Sequence, residues 1–237
     1  GMGLAAAPPA FAEDAPDEVK RQETVYVYGT RSGYAEDTSR GATKTTTPIV
    51  EIPQAMTVIT GDLMRDQAIS GMAEALRFVP GVTVAQGEGH RDAPVLRGNT
   101  TTADFFVDGV RDDLQYYRDT YNTDRIEVLK GSSGLVFGRG TGGGVINRVT
   151  KQADGERVRA LTLGVGSFGF GRASADLGDA VAEGVDGRLN LFYEQADSYR
   201  DGVDSERYGF APSVSLDWGD RTTLRLSAEH FVDERVT

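Results

Sequence analysis

After Lys151 the chain alternates apolar and polar side chains one for one through roughly five runs of about ten residues, the period of a strand with two unlike faces. One face carries Leu161, Leu163 and Val165, then Ala173, Ala175 and Leu177, then Leu189, Leu191 and Tyr193. Tyr208, Phe210, Val214, Leu216 and Trp218 continue it, and Leu224, Leu226 and Ala228 complete it. The opposite face carries Arg172, Asp176, Arg188, Asn190, Glu194, Arg207, Ser213, Ser215 and Glu229. Runs of this length suit a strand tilted across a bilayer, which needs about 9–11 residues. A soluble sandwich alternates as well. It has no reason to gather Tyr193, Tyr208 and Phe210 at one end of the apolar band and Trp218 at the other, as the aromatic girdles of a membrane sheet do. Residues 152–237 are therefore expected to form antiparallel transmembrane β-strands. Five such strands leave two open edges, and each orphaned backbone group in lipid costs several kcal/mol, so the sheet needs further strands to close.

Composition excludes several functions. The net charge of -11 is wrong for nucleic acid, whose phosphates call for a basic stripe. The absence of cysteine removes disulfides and thiol chemistry. His90 and His230 are the only histidines, too few for a histidine metal centre. No G-x-S-x-G or H-E-x-x-H can be read, and the acidic residues are scattered over turns, so no enzyme is expected. No window approaches the roughly 20 apolar residues of a membrane helix.

The N-terminal stretch "LAAAPPAFAED" ends in Ala10-Phe11-Ala12 ahead of acidic residues, the look of a secretory signal remnant over 1–12 whose basic leader is missing. Residues 13–47 read as a polar, flexible arm interrupted by "ETVYVYGT" at 23–30. An isolated strand-former in such an arm suits strand addition to a partner's sheet.

From 48 to 151 the texture is that of a compact α+β domain. "EIPQAMTVIT" (51–60) reads as a strand, Asp62 as the cap of a short helix, and Ser70 as the cap of "GMAEALRFV" before Pro80-Gly81 stops it. "FFVDGVR" (105–111) reads as a hairpin turning on Asp108-Gly109. "RIEVLKG" and "GGVINRVTK" complete a small sheet. The glycine-rich run between them is not a phosphate cradle, because Lys130 precedes it and a strand, not a helix, follows it.

These stretches, in their order, resemble the plug-domain signatures of TonB-dependent outer-membrane receptors of the ferric-siderophore branch. "ETVYV" (Glu23, Thr24, Val25, Tyr26, Val27) resembles the TonB box. "IPQAMTVIT", "ALRFVPGVTV", "LRG" (96–98), "FFVDGVRDD", "RIEVLKG" and "GGVINRVTK" follow as plug signatures. The family usually has proline after "KG" and an aromatic after "RG"; here Ser132 and Asn99 stand there. The resemblance implies an α+β plug at 48–151 inside a 22-stranded barrel, of which 152–237 would be the first five or so strands. It implies tight plug turns at Gly98, Gly109, Gly131, Gly138, Gly143 and Gly144, needed so that side chains do not collide with the barrel wall. It implies plug–wall contacts through Arg97, Arg125 and Glu127. Substrate would be gripped by outward loops, making His90, Arg91, Tyr116, Tyr117 and Arg118 the candidates, since cationic and phenolic donors suit an anionic, oxygen-rich ferric chelate. Iron would arrive as a ferric siderophore, with no resident cofactor. The implied partners are the TonB energy-transducing protein and outer-membrane lipid, in the outer membrane of a Gram-negative bacterium. The short spacing between Ala12 and Glu23 favours a plain transporter over a signal-transducing receptor. Cobalamin or glycan uptake is the alternative substrate reading, and a soluble plug-like binding module a remote one.

Overall fold

The structure is a computed structural model that describes residues 33–39, 47–85, 89–100, 102, 104–131, 134–138, 143–219 and 221–236. The candidate TonB box at 23–27 lies outside the described residues.

Two short strands, β1 (Thr38–Ser39) and β2 (Thr47–Pro48), pair antiparallel ahead of β3 (Ala55–Thr60). The plug contains two further groups of strands. In one, β4 (Val82–Ala85), β5 (Ala93–Leu96) and β6 (Asn99–Thr100) form a small antiparallel sheet. In the other, β3 joins β7 (Phe105–Val107), β8 (Val110–Arg111), β9 (Thr123–Lys130) and β10 (Gly144–Thr150) in the order β3-β9-β10-β7-β8. All pairs in this sheet are antiparallel except β7 with β10. The β7–β8 hairpin turns on Asp108 and Gly109, both left-handed at φ 49° and 79°, which is why an Asp-Gly pair is needed there.

Two short helices, Gly61–Asp66 and Met72–Leu76, cover one face of this sheet. Their caps differ from expectation. Thr60, not Asp62, accepts from Leu63 N, at 3.3 Å. Ser70 donates its own N–H to Glu74 at 2.8 Å, so the carboxylate on the helix reaches back where a hydroxyl was expected to reach forward. Met72, Leu76, Ile59, Phe105, Ile126, Val128 and Ile146 are buried together as the plug core. The glycine-rich segment is not turns alone: Gly134–Phe137 is one helical turn, and Phe137 packs edge-on against Phe106 with centroids 4.7 Å apart.

Beyond Lys151 the wall begins. β11 (Val158–Val165), β12 (Gly171–Ala182), β13 (Val185–Asp197) and β14 (Asp204–Trp218) form an antiparallel meander, followed by β15 (Thr222–Ser227) and β16 (His230–Arg235), which both pair with β14. The last two are one strand in a single register, since Ser213 faces Ser227 and Phe210 faces His230. The break falls opposite Pro212, which accepts from Ala228 N at 3.1 Å but has no N–H to return. Five physical strands result.

The burial of these strands is inverted relative to a soluble sheet. Leu161 and Leu163 are 70% and 71% exposed and Trp218 is 84% exposed, while Asn190, Glu194, Ser213 and Ser215 on the other face are buried. Apolar side chains point outward and the polar face packs against the plug. A nonpolar solvent makes that arrangement favourable. Connections 166–170 and 198–203 at one end of the sheet are longer than 183–184 and 219–221 at the other.

Candidate functional site

The polar face of the wall meets the plug along a seam built from charge. Asp119 of the plug is buried and accepts from both terminal nitrogens of Arg172 on β12, at 2.8 and 2.7 Å. Arg172 also reaches Glu194 on β13 at 2.6 Å, and Arg207 on β14 pairs with the same Glu194 while its Nη1 lies 3.5 Å from Asp119. Further along, Glu229 accepts from Tyr121 Oη at 3.1 Å and Asn122 Nδ2 at 3.0 Å, and Arg148 Nη2 lies 3.4 Å away. Lys151 reaches Asp176 at 3.0 Å, and Arg188 grips the same carboxylate through two nitrogens at 2.9 Å each. Opposite charges at short range in a buried seam interact far more strongly than on a surface.

One apolar contact interrupts the polar face. The ring of Tyr121 packs on Phe192 at 4.5 Å between centroids, and Phe231 stacks on Phe192 at 5.9 Å. A Cβ on Gly209 would stand 2.9 Å from Phe192 and 3.1 Å from Tyr121 Oη, so this strand position admits the phenol only as glycine.

The loops 89–92 and 112–118 hold the ligand candidates. Asp92 N donates to Tyr116 O at 3.3 Å, and Arg91 donates to Gln115 Oε1, so 89–92 and 115–118 are joined as one surface. His90 is exposed on it. Tyr117 is half-buried beneath the guanidinium of Arg235, 4.1 Å from its ring centroid. Tyr116 donates to Asp112 at 2.8 Å, and burial pushes its phenol up to about 12. Arg118 is a correction. Its side chain is only 2% exposed. Its guanidinium is held by Asp112 Oδ2 at 3.0 Å, by the carbonyls of Asp112, Leu114 and Tyr116, and between the rings of Phe105 and Tyr116. With four of its five N–H donors engaged and its plane covered, the buried Arg118 braces the loop. Asp92 accepts Arg118 N at 2.8 Å, and burial, opposed by that bond and by the guanidinium, raises its carboxyl to about 6.

The residues expected to meet the wall have the following partners inside the plug. Arg125 donates to Glu127 at 3.0 Å and to Asp124 at 2.9 Å, all within the plug. Glu127 is buried between β9 and β10, accepting from Asn147 Nδ2 at 3.2 Å. Arg97 sits in left-handed backbone at φ 52° with its guanidinium beside Gly131. Polar contact with these five strands is made by Asp119, Tyr121, Asn122, Arg148 and Lys151, and ring contact by Tyr116, Tyr117 and Tyr121. Alternation had placed Arg172, Glu194, Arg207 and Glu229 on the inward face, but nothing local marks Asp119 as their partner.

At two of the plug glycines the close neighbours lie within the plug itself. A Cβ on Gly144 would lie 2.4 Å from Leu129 O, and one on Gly143 would lie 2.9 Å from Leu96 O.

Comparison with known proteins agrees with this geometry. The family model described as TonB-dependent Receptor Plug Domain matches residues 48–145. The catecholate siderophore receptor Fiu of Escherichia coli (strain K12) is 34% identical over 243 residues, an alignment covering 100% of this chain and 32% of Fiu. The crystal structure of the ferric-catecholate import receptor Fiu from E. coli K12 in its open form superimposes with a TM-score of 0.79 at 34% identity, covering 86% of this chain and 30% of that one. The siderophore receptor PiuA from Acinetobacter baumannii superimposes with a TM-score of 0.77 at 27% identity, covering 86% of this chain and 30% of that one. The chain thus spans about a third of the length of the curated relatives it matches. These relatives are receptors, not enzymes. Plug signatures, a charge-lined seam and an outward-apolar sheet coincide in one chain, which belongs to the TonB-dependent receptors of the Gram-negative outer membrane.

Proposed function

We propose that the chain supplies the plug and the first wall strands of a receptor that imports a ferric siderophore of the catecholate type. The single observation that carries this is the inverted sheet joined to the plug by a charged seam, in a chain that aligns end to end with part of Fiu. By the general asymmetry of outer-membrane barrels, the longer connections 166–170 and 198–203 mark the cell exterior and the shorter ones the periplasm. That orientation puts Tyr117, beside Arg235 at the long-loop end, at the outer mouth together with Arg91 and His90.

Arg91, Tyr117 and His90 are the ligand contacts in this reading, offering one cation, one phenol and one imidazole to an anionic chelate. Arg118 and the engaged hydroxyl of Tyr116 support the loop. Residues 23–27 would add a strand to TonB, which supplies the energy for plug movement. The iron is cargo, enclosed by its chelator. Residues 1–12 as a signal remnant, 13–47 as an arm, 48–151 as plug and 152–237 as wall remain the proposed division.

The test is a ligand screen on the full-length receptor, with tyrosine and tryptophan quenching read against ferric catecholates, ferric hydroxamates and cobalamin. Quenching by ferric catecholate at the lowest concentration supports the proposal, and a response to cobalamin alone overturns it. Arg91→Ala should weaken ferric catecholate about tenfold, the worth of one charge-assisted hydrogen bond.

A further inference from the structure

The charges on the inner wall do not balance strand by strand. Arg188 is matched by Asp176 and Arg235 by Asp233, one wall carboxylate to each guanidinium. Arg172 and Arg207 share the single carboxylate of Glu194, so two cations and one anion leave this wall cluster with a net charge of +1. The missing negative charge comes from the plug, as Asp119.

The same place on the wall has an aromatic floor. Arg172 lies over the ring of Phe192 at 4.8 Å, Phe231 of the wall stacks on that ring at 5.9 Å, and the plug's contact with it is Tyr121. Asp119 also accepts the Tyr121 N–H at 2.9 Å, which ties the carboxylate to the backbone that carries the phenol ring. The plug therefore presents an anion and an aromatic ring, two residues apart, to a pair of arginines and a phenyl face. Gly209 is what leaves room for the phenol.

We propose that Arg172, Arg207 and Phe192 form a transit site on the wall for an aryl anion. Asp119 and Tyr121 fill it while the plug is seated, and the anionic catecholate groups of the ferric chelate take it when the plug moves. The inference rests on the siderophore reading given above. Paired guanidinium groups match adjacent anionic oxygens in bidentate fashion, and the phenyl face accepts the catechol ring. In a site shielded from water these contacts are strong enough to capture the chelate below the outer mouth. Because the plug supplies the competing anion, the site opens only when coupling displaces Asp119.

The experiment uses full-length receptor in the outer membrane of energised cells and a ⁵⁵Fe-labelled ferric tris-catecholate. R172Q/R207Q should lower uptake by about tenfold or more beyond any change in equilibrium binding, the effect of losing a charge-assisted contact made only in transit. Asp119→Asn removes the competitor and should move uptake the other way. Equal uptake by R172Q/R207Q and wild type overturns the inference. So does a change of the same direction in both variants, because a cluster that merely fastens the plug gives that result. If the double variant does not reach the outer membrane, R207Q alone is read by the same criteria. A wild-type receptor that imports no ferric tris-catecholate overturns the siderophore reading together with this one, whereas import by wild type and by an unimpaired R172Q/R207Q overturns this one alone.

Discussion

Tyr121 of the plug donates its phenolic hydrogen to Glu229 of the fifth wall strand at 3.1 Å, across a seam between residues far apart in sequence. The same carboxylate faces Arg148, whose side chain is 4% exposed. Glu229→Ala therefore leaves a buried guanidinium without its carboxylate. The expected cost is about 3–5 kcal/mol, against about 1 kcal/mol for Tyr121→Phe, which removes one hydrogen bond and keeps the ring on Phe192. Urea unfolding of the full-length receptor in detergent measures both, and equal effects would refute the ranking.

Leu191 lies on the exposed face of β13, opposite Phe210. On a water-facing sheet Leu191→Arg would be harmless. On a lipid-facing sheet it should cost about 2–4 kcal/mol near the midplane and sharply reduce the heat-modifiable, folded receptor recovered from membranes. Wild-type recovery would argue that this face meets water.

Gly144→Ala places a methyl 2.4 Å from Leu129 O at a backbone φ of 150°. The carbonyl belongs to the β9 ladder and cannot withdraw without breaking it. A loss of more than about 2 kcal/mol is expected, whereas Gly98→Ala, with nothing within 4 Å and only its φ of 81° against it, should cost about 1 kcal/mol. Similar unfolding midpoints for the two variants would remove the steric explanation.

Asp92 titrates in the opposite sense to a salt-bridged surface acid. Burial raises it from 3.8 to about 6, so the folded form holds the proton more tightly than the unfolded form. Its contribution to stability is full below pH 4 and is lost as pH rises through 6, by about 3 kcal/mol at most. In Asp92→Asn the fall in stability between about pH 3 and about pH 7 should shrink by about that amount. An unchanged pH profile would show that Asp92 is ionised throughout.

Val25→Pro removes a ladder donor from the candidate TonB box. Uptake by the full-length receptor should fall to background while affinity for ferric catecholate stays within about threefold, since a strand-addition segment acts on the partner and not on the ligand. Loss of affinity and uptake together would place the segment in the plug instead.

Much of this architecture is local and so legible in the sequence. Strand alternation has a period of two and depends on nothing distant, so the outward Leu161, Leu191 and Trp218 and the inward Arg172, Glu194 and Arg207 could be assigned from spacing alone. Asp108-Gly109 announces its hairpin because few residue pairs tolerate two left-handed positions. The seam is different in kind. Asp119, Arg172 and Glu194 meet only after plug and wall have each folded and docked, and no periodicity links residues 53 positions apart. Arg118 looked like a ligand-binding cation because a loop arginine in sequence is indistinguishable from one on the surface. Tertiary packing buried it beneath Phe105 and Tyr116, where four of its five donors are taken by loop carbonyls and Asp112.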